Sequence, residues 1–251
     1  MATENDNGGS QVIARAAAIL RALEQQPQGL TLSALARATA LPRTTVHRLV
    51  GSLEAQQLVI NGDDGVRLGP ALLRLAASAH TDMISLARGS IEKLGRKTRE
   101  TVDLCVFRGT HSVSVDQYPS DQELRVVSAI GTAFPVHTTA HGKALLAALP
   151  DAQLEALPTP FERRTPHTLT SKEALLADLA AARERGYALD QQEHAPGVCG
   201  LGVWLDTGLA EHYAIALAVP ALRFQNTFPQ LLSALMQCRA EIVSLIGGAA
   251  S

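Results

Sequence analysis

The amino-acid sequence predicts an α+β protein in two parts, a small winged helix-turn-helix followed by a larger domain on a mostly antiparallel sheet. Within the first seventy residues, three stretches with helical spacing of apolar residues precede a hairpin pattern. Beyond residue 100, short strand-like stretches alternate with helical ones. The chain of 251 residues also exceeds the usual size of a single domain.

The expected boundaries follow from changes in composition and periodicity. Residues 1–10 are rich in Asn, Asp, Gly and Ser, so we expect a disordered N-terminus there. The winged helix-turn-helix is expected over residues 11–69 and a linker helix over residues 70–82. The C-terminal domain is then expected over residues 83–251.

Each element of the predicted winged helix has a local signal. Apolar residues recur at helical spacing over residues 11–26, and Thr31 can cap a short second helix. Pro42 suits the first turn of a third helix over residues 42–56, because the missing N–H costs little there. Asn61-Gly62 lies between two short apolar runs and favours a hairpin, which would form the wing.

The pattern changes after a helix expected over residues 83–100. Short alternating or β-rich stretches, typical of strands, lie at residues 101–108, 111–117, 126–130, 187–193, 197–206 and 212–219. Helical spacing predicts further helices over residues 140–149, 171–186 and 229–246. Strands interrupted by helices favour a single α+β domain.

Composition restricts the class of protein. The net charge of -2 and the pI near 6.4 argue against a broadly polybasic protein, so any DNA-binding surface must be local. Three widely spaced cysteines without a CxxC pair make a zinc ribbon or a disulfide framework implausible. The polar N-terminus lacks a signal-peptide core, and no apolar run is long enough to cross a bilayer. We therefore expect a cytoplasmic protein.

The third predicted helix has a face without acidic residues. No Asp or Glu occurs between Glu24 and Glu54. The apolar stripe comprises Val46, Leu49, Val50 and Leu53, and the opposite face carries Arg43, Thr44, Thr45, His47, Arg48 and Ser52. Arginines and short hydroxyl side chains suit phosphates and base edges in a major groove of double-stranded DNA. Arg67, on the second wing strand, is placed to contact the neighbouring backbone or minor groove.

A basic helix face can also be an ordinary solvated surface. The preceding helix, the tight turn and the hairpin, in this order, favour binding to double-stranded DNA instead. The region holds no aromatic residue, which disfavours recognition of single strands by base stacking.

Two strands of the C-terminal domain indicate a ligand pocket. Alternation over residues 214–219 places three alanines on one face, and Gly200 and Gly202 share a face over residues 198–203. Small side chains on such faces leave room for a small ligand. Close packing of a helix against the same small residues is the alternative interpretation.

The helix expected from Ala140 adds an anion-binding signal. Thr138 or Thr139 can serve as the N-cap, which leaves the N–H groups of Ala140, His141 and Gly142 available to a ligand carboxylate. His141 can add a charge-assisted hydrogen bond to that carboxylate.

Metal binding and catalysis are competing interpretations. His137 and His141 have HxxxH spacing, and they could share a zinc ion if both lay on one helix. His137 precedes the expected helix, which argues against a shared face. The alternative function is a small-molecule hydrolase or metal-dependent enzyme that uses Cys199, His141 and Asp190. No GxSxG elbow, P-loop or correctly ordered GxGxxG supports it, so we expect no enzyme, no metal and no cofactor. A protein-interaction scaffold would leave the acid-free basic helix unexplained.

Several motifs resemble the IclR family of bacterial transcription regulators. The runs ARAAAILRAL (14–23), LSALA (32–36) and LPRTTVHRL (41–49) resemble its helix-turn-helix, and FPVHTTAHGKALL (134–146) with RGYALD (185–190) resembles its effector domain. The resemblance implies a GAF-like effector domain, dimers or tetramers, and control of a catabolic operon. It adds Arg15 to the candidate DNA-binding residues.

The resemblance also places the effector contacts. They fall at Val126, Phe134, Ala140, His141, Asp190, Val198, Gly200, Ala216 and Ala218. Many relatives that resemble regulators of small keto acids carry hydroxyls at the two alanine positions, so we expect an aromatic or bulkier carboxylate here.

The resulting hypothesis is a homodimer or dimer of dimers on a pseudo-palindromic operator. Effector binding would move the linker helix and change the spacing between two recognition helices. Repression is the expected output.

Overall fold

The chain is described by a computed structural model that covers residues 6–246, apart from residues 25, 63, 79–82 and 210. Contacts within the chain divide it into two compact units, Met1–Thr81 and Asp82–Ser251.

Three helices form the body of the first unit, and they are α1 (Asp6–Glu24), α2 (Leu32–Thr39) and α3 (Arg43–Ala55). The side chain of Thr31 caps α2 as expected, accepting a hydrogen bond of 3.2 Å from the N–H of Ala34. The expected disorder is wrong for residues 6–10, which belong to α1. Once a helix has formed, each added residue gains one hydrogen bond, so the helix formed by the alanine-rich stretch extends toward the N-terminus into polar residues. Residues 1–5 lie outside the described residues.

A two-stranded wing completes this unit. Strands β1 (Val59–Gly62) and β2 (Gly65–Leu68) pair in antiparallel register. Leu30 extends the wing, because its N–H and C=O both bond to the backbone of Val66. The unit's core comprises Ile19, Leu23, Leu35, Val46, Leu49, Val50, Leu53, Val59 and Val66. The winged helix-turn-helix is therefore confirmed, with the predicted stripe of α3 inside.

Two helices lie near the division between the units. Helix α4 (Pro70–Ser78) covers the first part of the expected linker, and residues 79–82 of that linker lie outside the described residues. Helix α5 (Met83–Thr98) begins where predicted and ends two residues before Glu100.

The second unit is built on a six-stranded antiparallel sheet in the order β5-β4-β3-β8-β7-β6, as predicted for this domain. Its strands are β3 (Thr101–Arg108), β4 (His111–Tyr118), β5 (Ala133–Pro135), β6 (Ala188–Gln191), β7 (Val198–Leu205) and β8 (Tyr213–Pro220). The strand predicted over residues 126–130 is wrong, because these residues form a loop in which Val127 and Ile130 are exposed. The edge strand is β5 instead.

Four further helices pack on this sheet, and they are α6 (Ala140–Ala147), α7 (Asp151–Glu155), α8 (Lys172–Arg185) and α9 (Ala221–Ile246). The short α7 was not predicted. Helix α9 begins at Ala221 rather than at Pro229, which lies inside it. A proline normally marks the first turn of a helix, so the sequence rule placed this start too late.

The two faces of the sheet pack against different helices. On β8, Ile215, Leu217 and Val219 belong to a core shared with α5 and α9. On the other face, Ala214 belongs to a core shared with α6 and α8. The predicted alternation of β8 is thus confirmed.

Helix α6 begins directly over the two glycines of β7. A Cβ added at Gly202 would lie 2.6 Å from the carbonyl oxygen of Ala140, and one at Gly200 would lie 2.9 Å from the Cβ of Ala140. Close packing of a helix, the alternative interpretation of these small residues, is therefore correct for Gly202. Real Cβ atoms do not approach backbone this closely, so the helix start depends on glycine here.

We expect Gly202→Ala to lower the free energy of unfolding by about 1–3 kcal/mol, because the new methyl group overpacks the contact with α6. Urea denaturation measures this change. Gly89→Ala is the control, since a Cβ there meets nothing within 4 Å and alanine is the better helix former. Equal effects of the two substitutions would contradict the close contact.

Candidate DNA-binding and effector sites

The face of α3 opposite the buried stripe is open to solvent. Arg43, Thr44, His47, Arg48 and Ser52 are exposed, and Thr45 is half-buried. No ion pair within the described part of the chain involves the arginines of α3. The predicted DNA-binding side chains of this helix therefore share one accessible cationic surface.

The start of α3 leaves backbone donors free of side-chain partners. The N-cap is Pro42, which makes no side-chain capping hydrogen bond. The first N–H groups of a helix without such a cap are available to an anion, and the helix dipole favours negative charge there. This arrangement suits a DNA phosphate.

The remaining predicted DNA contacts differ in accessibility. Arg67 is exposed on β2, and its aliphatic stem passes so close to Gly29 that a Cβ there would lie 2.8 Å from Cγ of Arg67. Arg15 is half-buried on α1. The hydroxyl of Ser52 donates to the carbonyl oxygen of Arg48 at 3.1 Å, so its proton is already used within the helix.

Gly51 was not predicted and lies on the same surface, three residues after Arg48 and seven after Thr44. It is exposed, and a Cβ there would meet nothing within 4 Å. Glycine inside a helix costs about 1 kcal/mol relative to alanine. The unfavourable glycine inside a predicted helix was the signal in the sequence that could have identified this position.

A cavity of about 200 Å³ lies in the second unit, between the start of α6, strands β3, β5, β6, β7 and β8, and two loops. It brings together nine of the ten predicted effector residues: Val126, Phe134, Ala140, His141, Asp190, Val198, Gly200, Ala216 and Ala218. The lining residues that were not predicted as contacts are Asp103, Val127, Ser128, Thr139, His194, Ala195, Cys199 and Leu217.

Gly142 is the predicted effector residue that lies outside the cavity. Its N–H donates to Oγ1 of the N-cap residue Thr139 at 3.1 Å, and a Cβ there would lie 2.4 Å from the carbonyl oxygen of Val136. The prediction that this N–H is free for a ligand is therefore wrong. This N–H is already hydrogen-bonded to the N-cap side chain of Thr139.

Three rings form one wall of the cavity. The ring centroid of Phe134 lies 5.1 Å from that of His141 and 5.2 Å from that of His194, both in edge-to-face geometry. Nδ1 of His141 lies 2.8 Å from Oγ of Ser112, and Nδ1 of His194 lies 3.0 Å from Oγ1 of Thr138. Each imidazole is thus held in place by a hydroxyl.

Both histidines of this wall are uncharged at neutral pH. Burial lowers the pKa of His141 to about 3, with a smaller contribution from His194. Burial, followed by the charge of Arg164, lowers the pKa of His194 to about 4. Burial therefore disfavours a positive charge on His141, and a hydrogen bond from its neutral ring to a ligand carboxylate stays a prediction.

Two carboxyl groups also line the cavity. Oδ1 of Asp190 accepts hydrogen bonds from the N–H groups of Glu193 (2.7 Å) and His194 (3.4 Å), and Oδ1 of Asp103 accepts one from Nε2 of Gln117 (2.7 Å). Burial raises the pKa of Asp190 to about 7 and that of Asp103 to about 6. The described lining residues include no lysine or arginine.

Lys143 lies behind the cavity and fixes one of its loops. Its side chain is fully buried on α6, with Nζ 2.7 Å from Oε2 of Glu193 and 2.9 Å from Oδ2 of Asp178. Glu193 belongs to the loop that follows β6 and also carries His194. The ion pair therefore ties this loop to α6.

The two alternatives, a metal site and a catalytic site, find little support in the described residues, although Cys199, His141 and Asp190 line the same cavity. His137 stacks on Phe161 at 4.8 Å and donates from Nε2 to the carbonyl oxygen of Glu162, apart from the partners of His141. Among the described residues there is no metal-ligating cluster of three or more such side chains. Burial raises the pKa of Cys199 to about 11, so its thiol is protonated and unsuited to nucleophilic attack.

Comparison with known proteins decides the family. The family model described as "Bacterial transcriptional regulator IclR C-terminal" matches residues 75–244, and the IclR helix-turn-helix model matches residues 12–60. The chain belongs to the IclR family. It is therefore a DNA-binding transcriptional regulator, as the resemblance implied, and not an enzyme.

Relatives match the IclR-family chain over nearly its full length. The HTH-type transcriptional regulator TtgV of Pseudomonas putida is 42% identical over 245 residues, covering 96% of this chain and 94% of that protein. A crystal structure of a regulator from Silicibacter sp. TM1040 matches with a TM-score of 0.79 and 27% identity, over 96% of this chain and 97% of that one. An IclR homologue from Microbacterium hydrocarbonoxydans, complexed with 4-hydroxybenzoate, matches with a TM-score of 0.60 and 26% identity, over 94% and 99%.

The IclR-family fold described here contains no membrane-spanning candidate. Among the residues described, no helix combines the length and the apolar character needed to cross a bilayer.

We expect Lys143→Met to lower the free energy of unfolding by about 3–5 kcal/mol, because it leaves the buried carboxylate of Glu193 without its cation. Chemical denaturation followed by circular dichroism measures the change. Lys93→Met is the matched control: it removes an exposed ion pair with Glu241, and exposed pairs contribute about 0–1 kcal/mol. A loss below 1 kcal/mol for Lys143→Met would contradict the anchoring role.

Proposed function

We propose that this regulator represses a catabolic operon and that a small organic molecule in the cavity of the second unit controls its binding to the operator. The observation that carries the proposal is a mostly apolar cavity, lined by the residues that the family resemblance predicted as effector contacts. A bound winged helix excludes other proteins from the same stretch of duplex, so repression needs no further surface.

We further propose that the protein acts in the cytoplasm as a homodimer or dimer of dimers. Two copies of α3 would then occupy successive major grooves of a pseudo-palindromic site. The linker between the units, expected over residues 70–82, would transmit the effector signal to their spacing. This is a shift in population between DNA-competent and incompetent arrangements.

The DNA-binding role is proposed to rest on Arg43 and Arg48 of α3. Both are exposed, and no acidic side chain occurs on their helix before Glu54. Arginines at such positions contact either guanine edges or phosphates.

We expect Arg43→Ala and Arg48→Ala each to weaken operator binding by about 1–3 kcal/mol if the contact is to a base edge, which is roughly 5–150-fold in Kd. Fluorescence anisotropy with a labelled operator, at several salt concentrations, measures the change. Arg99→Ala removes the same charge from an exposed side chain of the second unit and serves as control. If neither α3 variant differs from the control in affinity or salt dependence, α3 is not the recognition helix.

The size of the cavity supports a ligand with one aromatic ring. A cavity of about 150 Å³ accepts benzene in another protein, and this one measures about 200 Å³. The neighbour from Microbacterium hydrocarbonoxydans is complexed with a molecule of that size, 4-hydroxybenzoate. We therefore propose a single-ring effector, and retain an aromatic acid as one candidate.

We expect an effector to change the operator Kd by roughly 5–150-fold, the usual range of coupling between two sites. The measurement is operator affinity with and without a panel of aromatic and aliphatic acids, alcohols and amides. Thermal shift establishes which compounds bind. Compounds that bind the protein without changing its operator affinity would refute the coupling.

A further inference from the structure

We infer that the cavity selects an uncharged aromatic molecule that donates hydrogen bonds, such as a phenol or an aromatic amide, in preference to a carboxylate. This inference rests on the proposed function, which places the effector in this cavity. The sequence predicted a carboxylate, which accepts hydrogen bonds from the protein. The ligand inferred from the structure donates hydrogen bonds to the protein instead.

The first observation is an acceptor without a donor. Asp190 is 3% exposed and lines the cavity. Both hydrogen bonds to its carboxyl reach Oδ1, and none of the described residues donates to Oδ2. This oxygen, on a residue that lines the cavity, is therefore left for a ligand, and a ligand O–H or N–H that donates to it would be stabilising.

The second observation is a further carboxyl in the same cavity. Asp103 comes from β3, whereas Asp190 comes from β6, so a ligand between them meets acceptors from two strands. At a pH above the pKa of both acids, a carboxylate ligand would be desolvated beside two negative charges, and like charges in a site of low dielectric repel.

The third observation concerns the cations, which are engaged elsewhere. Lys143 is neutralised by Glu193 and Asp178, and it does not line the cavity. Arg164 donates to the carbonyl oxygen of His194. No described lining side chain is left to neutralise an anionic ligand.

The remaining walls suit a ring. Phe134 with the neutral His141 and His194 forms an aromatic surface, and Val126 and Val198 contribute apolar surface. Aromatic groups pack well edge-to-face on such a surface. The cavity thus offers apolar contact to a ring and acceptors to its substituents.

The test compares two ligands of similar size, 4-hydroxybenzamide and 4-hydroxybenzoate, which differ in the charge and the hydrogen-bond donors of one substituent. Calorimetry on the full-length protein is done at pH 8, above the raised pKa values of Asp190 and Asp103. We expect the Kd of the amide to be at least tenfold lower. Asp190→Asn and Asp103→Asn each remove a negative charge from the cavity. Each should therefore favour the benzoate and reduce the ratio of the benzoate Kd to the amide Kd. Asp121→Asn, a change at an exposed carboxyl outside the cavity, should leave the ratio unchanged.

Several results would overturn the inference. They are tighter binding of the benzoate, no binding of either compound, or an unchanged ratio in both cavity variants. Asp190 also accepts hydrogen bonds from the loop that follows it, so circular dichroism checks that the Asp190→Asn variant is folded. Asp103→Asn tests the effect of charge on ligand binding independently. A benzoate that bound more tightly and also changed operator affinity would refute this inference and leave the proposed function standing.

Discussion

The close approach of α6 to the sheet is the constraint on which the second unit depends. The carbonyl of Ala140 lies where only a glycine, Gly202, leaves room beneath it. One turn later, Lys143 is buried against Glu193 and thereby fixes the loop after β6, which lines the cavity. Helix start, strand and loop are thus held by two contacts, one steric and one electrostatic. The cavity is the space that remains beside them, over Ala216 and the neighbouring strand positions.

This packing also sets the electrostatic character of the cavity. Burial disfavours charge on every titratable group in its wall, so it lowers the pKa of His141 and raises the pKa of Asp190. The N-cap at Thr139 takes one of the backbone donors that an anion would need. A helix start that looks like an anion site in sequence is therefore a neutral, ring-lined wall in the folded protein. Fold membership in the IclR family does not by itself fix the charge of the effector.

Sequence reasoning succeeded where a single local period decides the outcome. Helical spacing places Val46 and the other apolar residues of α3 on one face, and this face is buried. Alternation likewise assigns the residues of β8 to the two faces of the sheet. It failed where partners from distant segments decide. The apolar run that includes Val127 pairs with none of the described strands, so it forms a loop. The neutrality of His141 depends on burial by elements far away in the chain. Asp103 was missed because a lone acid in a strand pattern does not reveal which cavity it faces.

We propose that the cavity of the second unit is the effector site of this DNA-binding regulator. Hydrogen–deuterium exchange of the full-length protein, with and without a ligand that changes operator affinity, shows which backbone amides the bound ligand protects. Amide exchange should slow at the cavity wall, in residues 126–128, 134, 139–141 and 190–200. Protection confined to other parts of the chain, with the cavity wall unchanged, would contradict the claim.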